Sequence, residues 1–482
     1  MNRITNASPE IFYLGASLWF LLLSFAPGQK SAPNGAHRRE YLSAILLASI
    51  GVLVCLASVH AQGWLFVRSY SVDIFSQVFK TLLSLGLFLI VCLCDQMSDV
   101  DDNRHNEFYF LLFTCTLALM LLVSAEHLLS IYLSLELSSY SLYILVGLRK
   151  RRSPGLEAAI KYFLIGSFAS AVMLFGMALL YSACGTGYLM DMAKTLPRVI
   201  HSPAVMIGLL FTLGGFFFKL AVFPFHSWAP DTYQGGSNQV AAYIATASKV
   251  AAIAILLRVI ASTGHDSAYL ARVLVILSVV SMTLGNLAAI AQKDLKRLLA
   301  FSTIAHSGYI LIGILVLDSA GYAATIFYAL ALLAMKFTAF MVVVELAPDG
   351  RNLQIEELAG LHKRSPLLAL ALLVALFSLA GIPPTIGFTG KFLIFTAAIQ
   401  KGYVALVIFA MINVVISLYY YLLVIKAAYL LEPARELPPL IVSFPKKLLA
   451  GLSIAVIVFA GFCPYWLMQI AQAATQPLIW GR

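Results

Sequence analysis

Five ionisable side chains stand in the middle of runs that are otherwise apolar: Glu136 in "LSLELSSYS", Lys219 in "GGFFFKLAVFPFHSW", Lys249 in "ATASKVAAIA", His306 in "STIAHSGYI" and Lys391 in "AGIPPTIGFTGKF". A charge at the centre of a membrane helix costs about 2.5–3.5 kcal/mol on insertion scales. Four unpaired charges would therefore cost about 10–14 kcal/mol, comparable to the whole stability of a protein. Each is expected to be paired or to lose its charge. Glu136 is the carboxylate at mid-depth and the natural partner for an ammonium. Burial disfavours a charged lysine and a nearby carboxylate favours it, so moving Glu136 relative to Lys219 would load or unload a proton. An imidazole between lysines, His306, can pass that proton on. The chemistry these residue types offer is a buried proton relay.

Other basic residues inside apolar runs read differently. Lys80, Lys426 and Arg258 are expected to snorkel to an interface, and Lys161 is undecided between snorkelling and function. Lys336 in "LLAMKFTAF" is too central to snorkel but has no evident partner. Asp231 in "HSWAPDTYQG" reads as a turn or helix cap.

The elements that must hold these groups are membrane helices. Of 482 residues, 61% are hydrophobic and 11% charged, against about 45–50% apolar in a soluble domain. Apolar runs of about 20 residues recur along the chain, the length needed to cross the hydrocarbon. The spacing predicts an all-α polytopic protein with fourteen spans, near 9–26, 41–60, 72–94, 108–124, 128–148, 157–182, 203–228, 239–262, 270–291, 298–317, 321–346, 366–400, 403–430 and 446–470. The first is read as a helix, since "SFAPGQ" lacks a small-x-small cleavage site.

Most loop Lys and Arg fall on one side, including Lys30, Arg38, Arg39, "RKRR" at 149–152, Lys293, Lys296, Arg297, Lys363, Arg364, Arg435, Lys446 and Lys447. The positive-inside rule makes that side cytoplasmic and puts both termini, with Arg3 and Arg482, outside. The net charge of +10 is then a topology signal, with no nucleic-acid surface implied. The six cysteines, at 55, 92, 94, 115, 184 and 463, match neither a redox nor a zinc spacing and read as packing residues. No nucleotide, haem or iron–sulfur motif is present, so no cofactor is expected in this chain.

"SLYILVG" (141–147) matches "SGYILIG" (307–313), and "AAIKYFL" (158–164) meets "ATIFYAL" (324–330) at the same offset of 166. The division this implies is three N-terminal spans (1–107), a first five-helix unit (108–262), a second (263–430), and a last span with the tail (431–482). Five crossings per unit make the second copy inverted, an architecture that many transporters use to place ion sites near the midplane. Each unit is expected to contain a broken helix with one lysine beside it: Pro224 frees the carbonyl of Leu220 next to Lys219, and Pro383, Pro384 and three glycines precede or flank Lys391.

The motifs "LSLELSSYSLYIL", "GFFFKLAVFPFHSWAPDTYQG", "SKVAAIAILLR", "QKDLKRLLAFSTIAHSGYI" and "AGIPPTIGFTGKF" together resemble the antiporter-like membrane subunits of proton-pumping NADH–quinone oxidoreductase, respiratory complex I. Length, span count and the lysine in "GFTGKF" are most similar to the bacterial N type. Large subunits of multisubunit sodium/proton antiporters are near relatives and supply the alternative reading. The resemblance implies that Glu136 and Lys219 form an ion pair, Lys249 is the central relay, His306 relays further, and Lys391 is the terminal proton carrier. It implies that Lys296 lines a cytoplasmic path and assigns Lys336 no role. It further implies a home in the bacterial inner membrane among other membrane subunits, with NAD, FMN, iron–sulfur clusters and quinone held by partner subunits.

Overall fold

The computed structural model describes residues 6–25, 35–150, 153–261, 268–433 and 438–479. Of the basic residues used above, Arg3, Lys30, Arg151, Arg152, Arg435 and Arg482 lie outside them. The described chain is almost wholly helical. Three helices, α1 (Ser8–Ser24), α2 (Gly35–Ala57) and α3 (Ile74–Val91), come first, with a short hairpin β1 (Gly63–Leu65) and β2 (Tyr70–Val72) between α2 and α3. The first unit follows as α4 (His105–Ser124), α5 (Leu128–Gly147), α6 (Ser153–Cys184), α7 (Leu189–Val199), α8 (Pro203–Leu220), α9 (Trp228–Gly235) and α10 (Asn238–Ala261). The second comprises α11 (Ala268–Ile290), α12 (Leu295–Leu315), α13 (Ser319–Leu346), α14 (Pro366–Ala380), α15 (Ile386–Gln400) and α16 (Val404–Leu430). α17 (Phe444–Phe462) and α18 (Tyr465–Thr475) close the chain.

Among the described residues, twelve helices are long and apolar enough to cross a membrane. α1 makes a thirteenth crossing, and α14 with α15 form a fourteenth as one broken helix, so the fourteen spans stand. Their starts are encoded locally. Asp73 caps α3 in a reciprocal box with Ser76, Asp294 and Asp318 cap α12 and α13, and Pro sits in the first turn of α1, α8, α14 and α17. The surface helix α7 and the hairpin lie where the sequence reading placed loops. The last span is shorter than read, because Pro464 separates α17 from α18.

The two units share one packing order: first helix on second (α4 on α5, α11 on α12), and third helix on both halves of the broken fourth (α6 on α8 and α9, α13 on α14 and α15). Close approach needs small residues. A Cβ at Gly176 of α6 would stand 2.4 Å from the Thr212 amide nitrogen and 2.6 Å from the Gly208 carbonyl of α8. Glu126 after α4 meets Arg258 near the end of α10, while Arg149 after α5 bonds Gln234 and Gly235 at the end of α9 and Gly350 after α13. These contacts define two opposite faces. Asn6 bonds Gln62, and Pro477 shares a surface pocket with Asp73 and Glu126, so both described chain ends lie on the first, the terminal face. The other is the loop face. α4 runs toward the terminal face and α11 starts from it, which inverts the second unit.

Burial sorts the helices. The apolar windows of α10, α12 and α13 are 100%, 94% and 89% buried, against 28% for α2 and 17% for α17. The central three carry Lys249, His306 and Lys336, so these groups sit where neither lipid nor bulk water reaches them.

Candidate proton path

α8 ends at Leu220, earlier than the span read from sequence, because Ala221 turns left-handed (φ 60°) ahead of Pro224. The break leaves carbonyls without helical partners, and two side chains from other helices take them. Lys249 Nζ donates to the Lys219 carbonyl at 2.7 Å, and Ser307 Oγ to the Leu220 carbonyl at 2.6 Å. The Lys249 ammonium also lies 4.8 Å over the ring of Trp228, whose indole N–H is fixed on the Phe218 carbonyl at 3.0 Å.

Lys219 and Glu136 do not form the ion pair expected of them. Lys219 Nζ donates to Ser138 Oγ at 2.9 Å and Ser139 Oγ at 3.1 Å, while Glu136 accepts from Ser170. Two hydroxyls satisfy the ammonium and a third takes the carboxylate. The physical reason is the α5 sequence itself: Ser138 and Ser139 reach Lys219 directly, and Glu136, at the edge of the bundle, turns to α6.

In the second unit α14 ends at Ala380 with Gly381 left-handed (φ 89°). Lys391 Nζ donates to the carbonyls of Leu379 (2.8 Å) and Ala380 (3.0 Å) and lies 4.8 Å over the ring of Tyr309. The two left-handed residues are 221 and 381, an offset of 160, and at that offset Lys219 corresponds to Leu379. Lys391 is thus the counterpart of Lys249, since each caps the same freed carbonyl and covers an aromatic face. Lys219 and Lys391 both lie on the broken helix of their unit, but on opposite sides of the break, and the lysine that caps the first break, Lys249, comes from the following helix.

Between the two breaks runs a chain of direct hydrogen bonds that sequence reading did not assemble. Lys336 Nζ donates to Ser302 Oγ at 2.8 Å and to the Leu299 carbonyl at 3.0 Å. Ser302 Oγ and the Tyr421 hydroxyl are 2.6 Å apart, Tyr421 reaches His306 Nε2 at 3.3 Å, and His306 Nδ1 meets the Tyr328 hydroxyl at 2.6 Å. With a hydroxyl on each ring nitrogen, His306 can take a proton at one and release it at the other. The Tyr328 ring packs on Gly390, next to Lys391: a Cβ there would lie 2.6 Å from the ring. The signal that could have found Lys336 is the repeat, because Ser302 and Lys336 lie 166 residues after Glu136 and Ser170.

The loop face carries the remaining expected residue. Lys296, fully buried, donates to the Gly236 carbonyl at 3.0 Å beneath the end of α9. Asp231 is an ion-pair centre rather than a cap, bound by Arg297 at 2.7 Å and Lys161 at 3.0 Å. Lys80 and Arg258 do not snorkel: both are buried and paired with carboxylates, Lys80 with Glu10 and Arg258 with Asp73 and Glu126. Lys426 is exposed along α16. Among the described residues no cluster of His, Cys, Asp or Glu could hold a metal ion.

Two inverted five-helix units, each broken at mid-helix, with lysines on the freed carbonyls, define a polytopic membrane protein of the antiporter-like fold. The chain belongs to the NADH:quinone oxidoreductase/Mrp antiporter transmembrane family, whose model matches residues 125–417. It is 64% identical to NADH-quinone oxidoreductase subunit N 2 of Syntrophobacter fumaroxidans, over 99% of this chain and 100% of that one. Among solved structures it is similar to a chain of respiratory complex I from Thermus thermophilus (34% identity, TM-score 0.82, covering 96% of this chain and 99% of that one). A chain of the Mrp complex from Dietzia shares the fold at 20% identity (TM-score 0.87, 99% and 98% covered).

Proposed function

We propose that this chain is an N-type proton-translocating membrane subunit of an NADH–quinone oxidoreductase, working beside other membrane subunits while redox chemistry proceeds in partners. The observation that carries the reading is the hydrogen-bonded chain Lys336–Ser302–Tyr421–His306–Tyr328, set between lysines that cap two broken helices. A structural ion-pair network would not need an imidazole bridged on both sides. The loop face is the cytoplasmic side of a bacterial inner membrane, the terminal face the periplasmic side, and the units 108–262 and 263–430 supply one half-path each.

In this arrangement Lys219 rests on the two serines and Glu136 on Ser170. A shift in a neighbouring subunit that draws Glu136 toward Lys219 stabilises that ammonium. When Glu136 returns to Ser170, the uncompensated charge of Lys219 repels the Lys249 ammonium, bonded to the Lys219 backbone, and drives it to give up its proton. Lys336 and His306 carry it through hydroxyls toward Lys391, and Lys296 serves the cytoplasmic entry. Replacing Lys249 or Lys219 by Ala in the assembled enzyme lowers protons pumped per electron. An unchanged ratio in both variants overturns the reading.

A further inference from the structure

The N-terminal helices hold buried polar groups that the relay does not use. Asp73, Gln77, Lys80 and Ser84 fall at i, i+4, i+7 and i+11 and so form one stripe down α3. At its top Arg258 of α10 is gripped by both Asp73 oxygens at 3.1 Å and by Glu126. Lower down, Lys80 pairs with Glu10 of α1 at 2.8 Å, with the Tyr70 hydroxyl donating to the same carboxylate. Lower still, Ser84 and the Tyr13 hydroxyl stand 2.7 Å apart.

Gln77, between the two ion-paired clusters, is fully buried, and neither its Oε1 nor its Nε2 has a hydrogen-bond partner among the described residues. Glu10 Oε2, Glu126 Oε2 and Arg258 Nε are also buried and unpartnered. Packing does not account for an amide with both ends unsatisfied; buried polar groups of this kind bond to ordered water. These atoms lie along or beside the α3 stripe, whose upper end, Asp73, lines with Ser71 and Glu126 a pocket of about 470 Å³ on the terminal face. Burial pushes the Glu126 carboxyl up to about 7, even beside Arg258, so it exchanges protons near neutrality. At the inner end, Gly86 of α3 packs on Ala247 of α10, two residues before Lys249: a Cβ on the glycine would lie 3.1 Å from that of the alanine.

We propose that this column is a hydrated proton passage between the interior and the terminal face, in which Gln77 orders the water file and the Glu10–Lys80 ion pair lines it. It rests on the reading of the chain as a proton translocator. A proton passing outward is handed along the water file past the Glu10–Lys80 pair to the pocket on the terminal face, one O–H bond forming for each one that breaks.

The test uses the assembled oxidoreductase in sealed vesicles. Gln77→Leu, which changes no charge, lowers protons pumped per electron at least twofold with the subunit still incorporated; Gln77→Met is the second variant should that one not assemble. Gln77→Cys, in a background without the six native cysteines, is labelled by a small cationic methanethiosulfonate applied to the terminal face. An unlabelled thiol, or an unchanged pumping ratio in the apolar variant, overturns the passage. Lys249→Ala is run in parallel. If it too pumps normally, the translocator reading falls; if it stops pumping while the Gln77 variants do not, the passage alone falls.

Discussion

Lys336 donates to Ser302 at 2.8 Å, and the two stand 166 residues after Ser170 and Glu136, which are likewise bonded to each other. The contact is kept in both units while the charge changes sign and helix: a carboxylate on the second helix of the first unit, an ammonium on the third helix of the second. The two units therefore present an anion and a cation at matching places of the repeat.

Lys336→Met removes the cationic end of the hydrogen-bonded chain while keeping side-chain length. The expected fall in protons pumped per electron is about tenfold or more. Leaving the Leu299 carbonyl and Ser302 without their donor costs about 1–3 kcal/mol of stability. Reconstituted pumping and thermal unfolding in detergent check the two effects separately, and a pumping ratio equal to the parent protein removes Lys336 from the path.

Ser138→Ala with Ser139→Ala takes both hydroxyl acceptors from the buried Lys219 ammonium. Hydrogen bonds to a charged group contribute about 1.5–3 kcal/mol each, so the double variant should lose several degrees in unfolding midpoint. Adding Ser170→Ala frees Glu136 and recovers part of the loss, because the carboxylate can then reach the lysine. A triple variant less stable than the double one would argue that the two charges cannot meet.

The two breaks respond oppositely to glycine and alanine. Gly381→Ala places a Cβ on a residue with φ 89°, at about 1–2 kcal/mol of strain, and 3.1 Å from Lys391 Cδ, displacing the ammonium from its carbonyls. Ala221→Gly, at φ 60° in the first break, is neutral or stabilising by up to about 1 kcal/mol. Melting of the two variants side by side, with pumping impaired only in the first, is the expected pattern.

Glu126 gives a pH dependence. Folding raises its carboxyl from the ordinary 4.5 to about 7, with burial the main cause and Arg258 opposing it. Between those values the unfolded chain has lost the proton and the folded chain keeps it, so stability falls as pH rises from about 4.5 to 7 and is level above. At about 1.4 kcal/mol per unit the full swing is about 3 kcal/mol. Glu126→Gln should flatten this part of the profile of unfolding midpoint against pH, and an unaltered slope would refute it.

The fourteen crossings, the inverted duplication and the buried ionisable residues were readable in the chain because they depend on local quantities: apolar run length, charge per loop, proline and glycine at a break. Which groups touch is a different kind of information. Glu136 and Lys219 looked like partners because they are opposite charges of similar depth, yet serines one turn from Glu136 reach the ammonium first. The carbonyls of Lys219 and Leu379 became equivalent once the left-handed residues at 221 and 381 could be superposed, and each is capped by a lysine, Lys249 or Lys391, from a different place in its unit, which residue counting hides. Lys80 and Arg258 looked like interfacial residues, since hydropathy measures depth along one helix and ignores the carboxylates of α1, α3 and the α4–α5 turn packed beside them. Hydrogen bonding is decided within about 3 Å, so it depends on rotation and register between helices distant in sequence, and those are set by how small and large side chains interlock across the whole bundle.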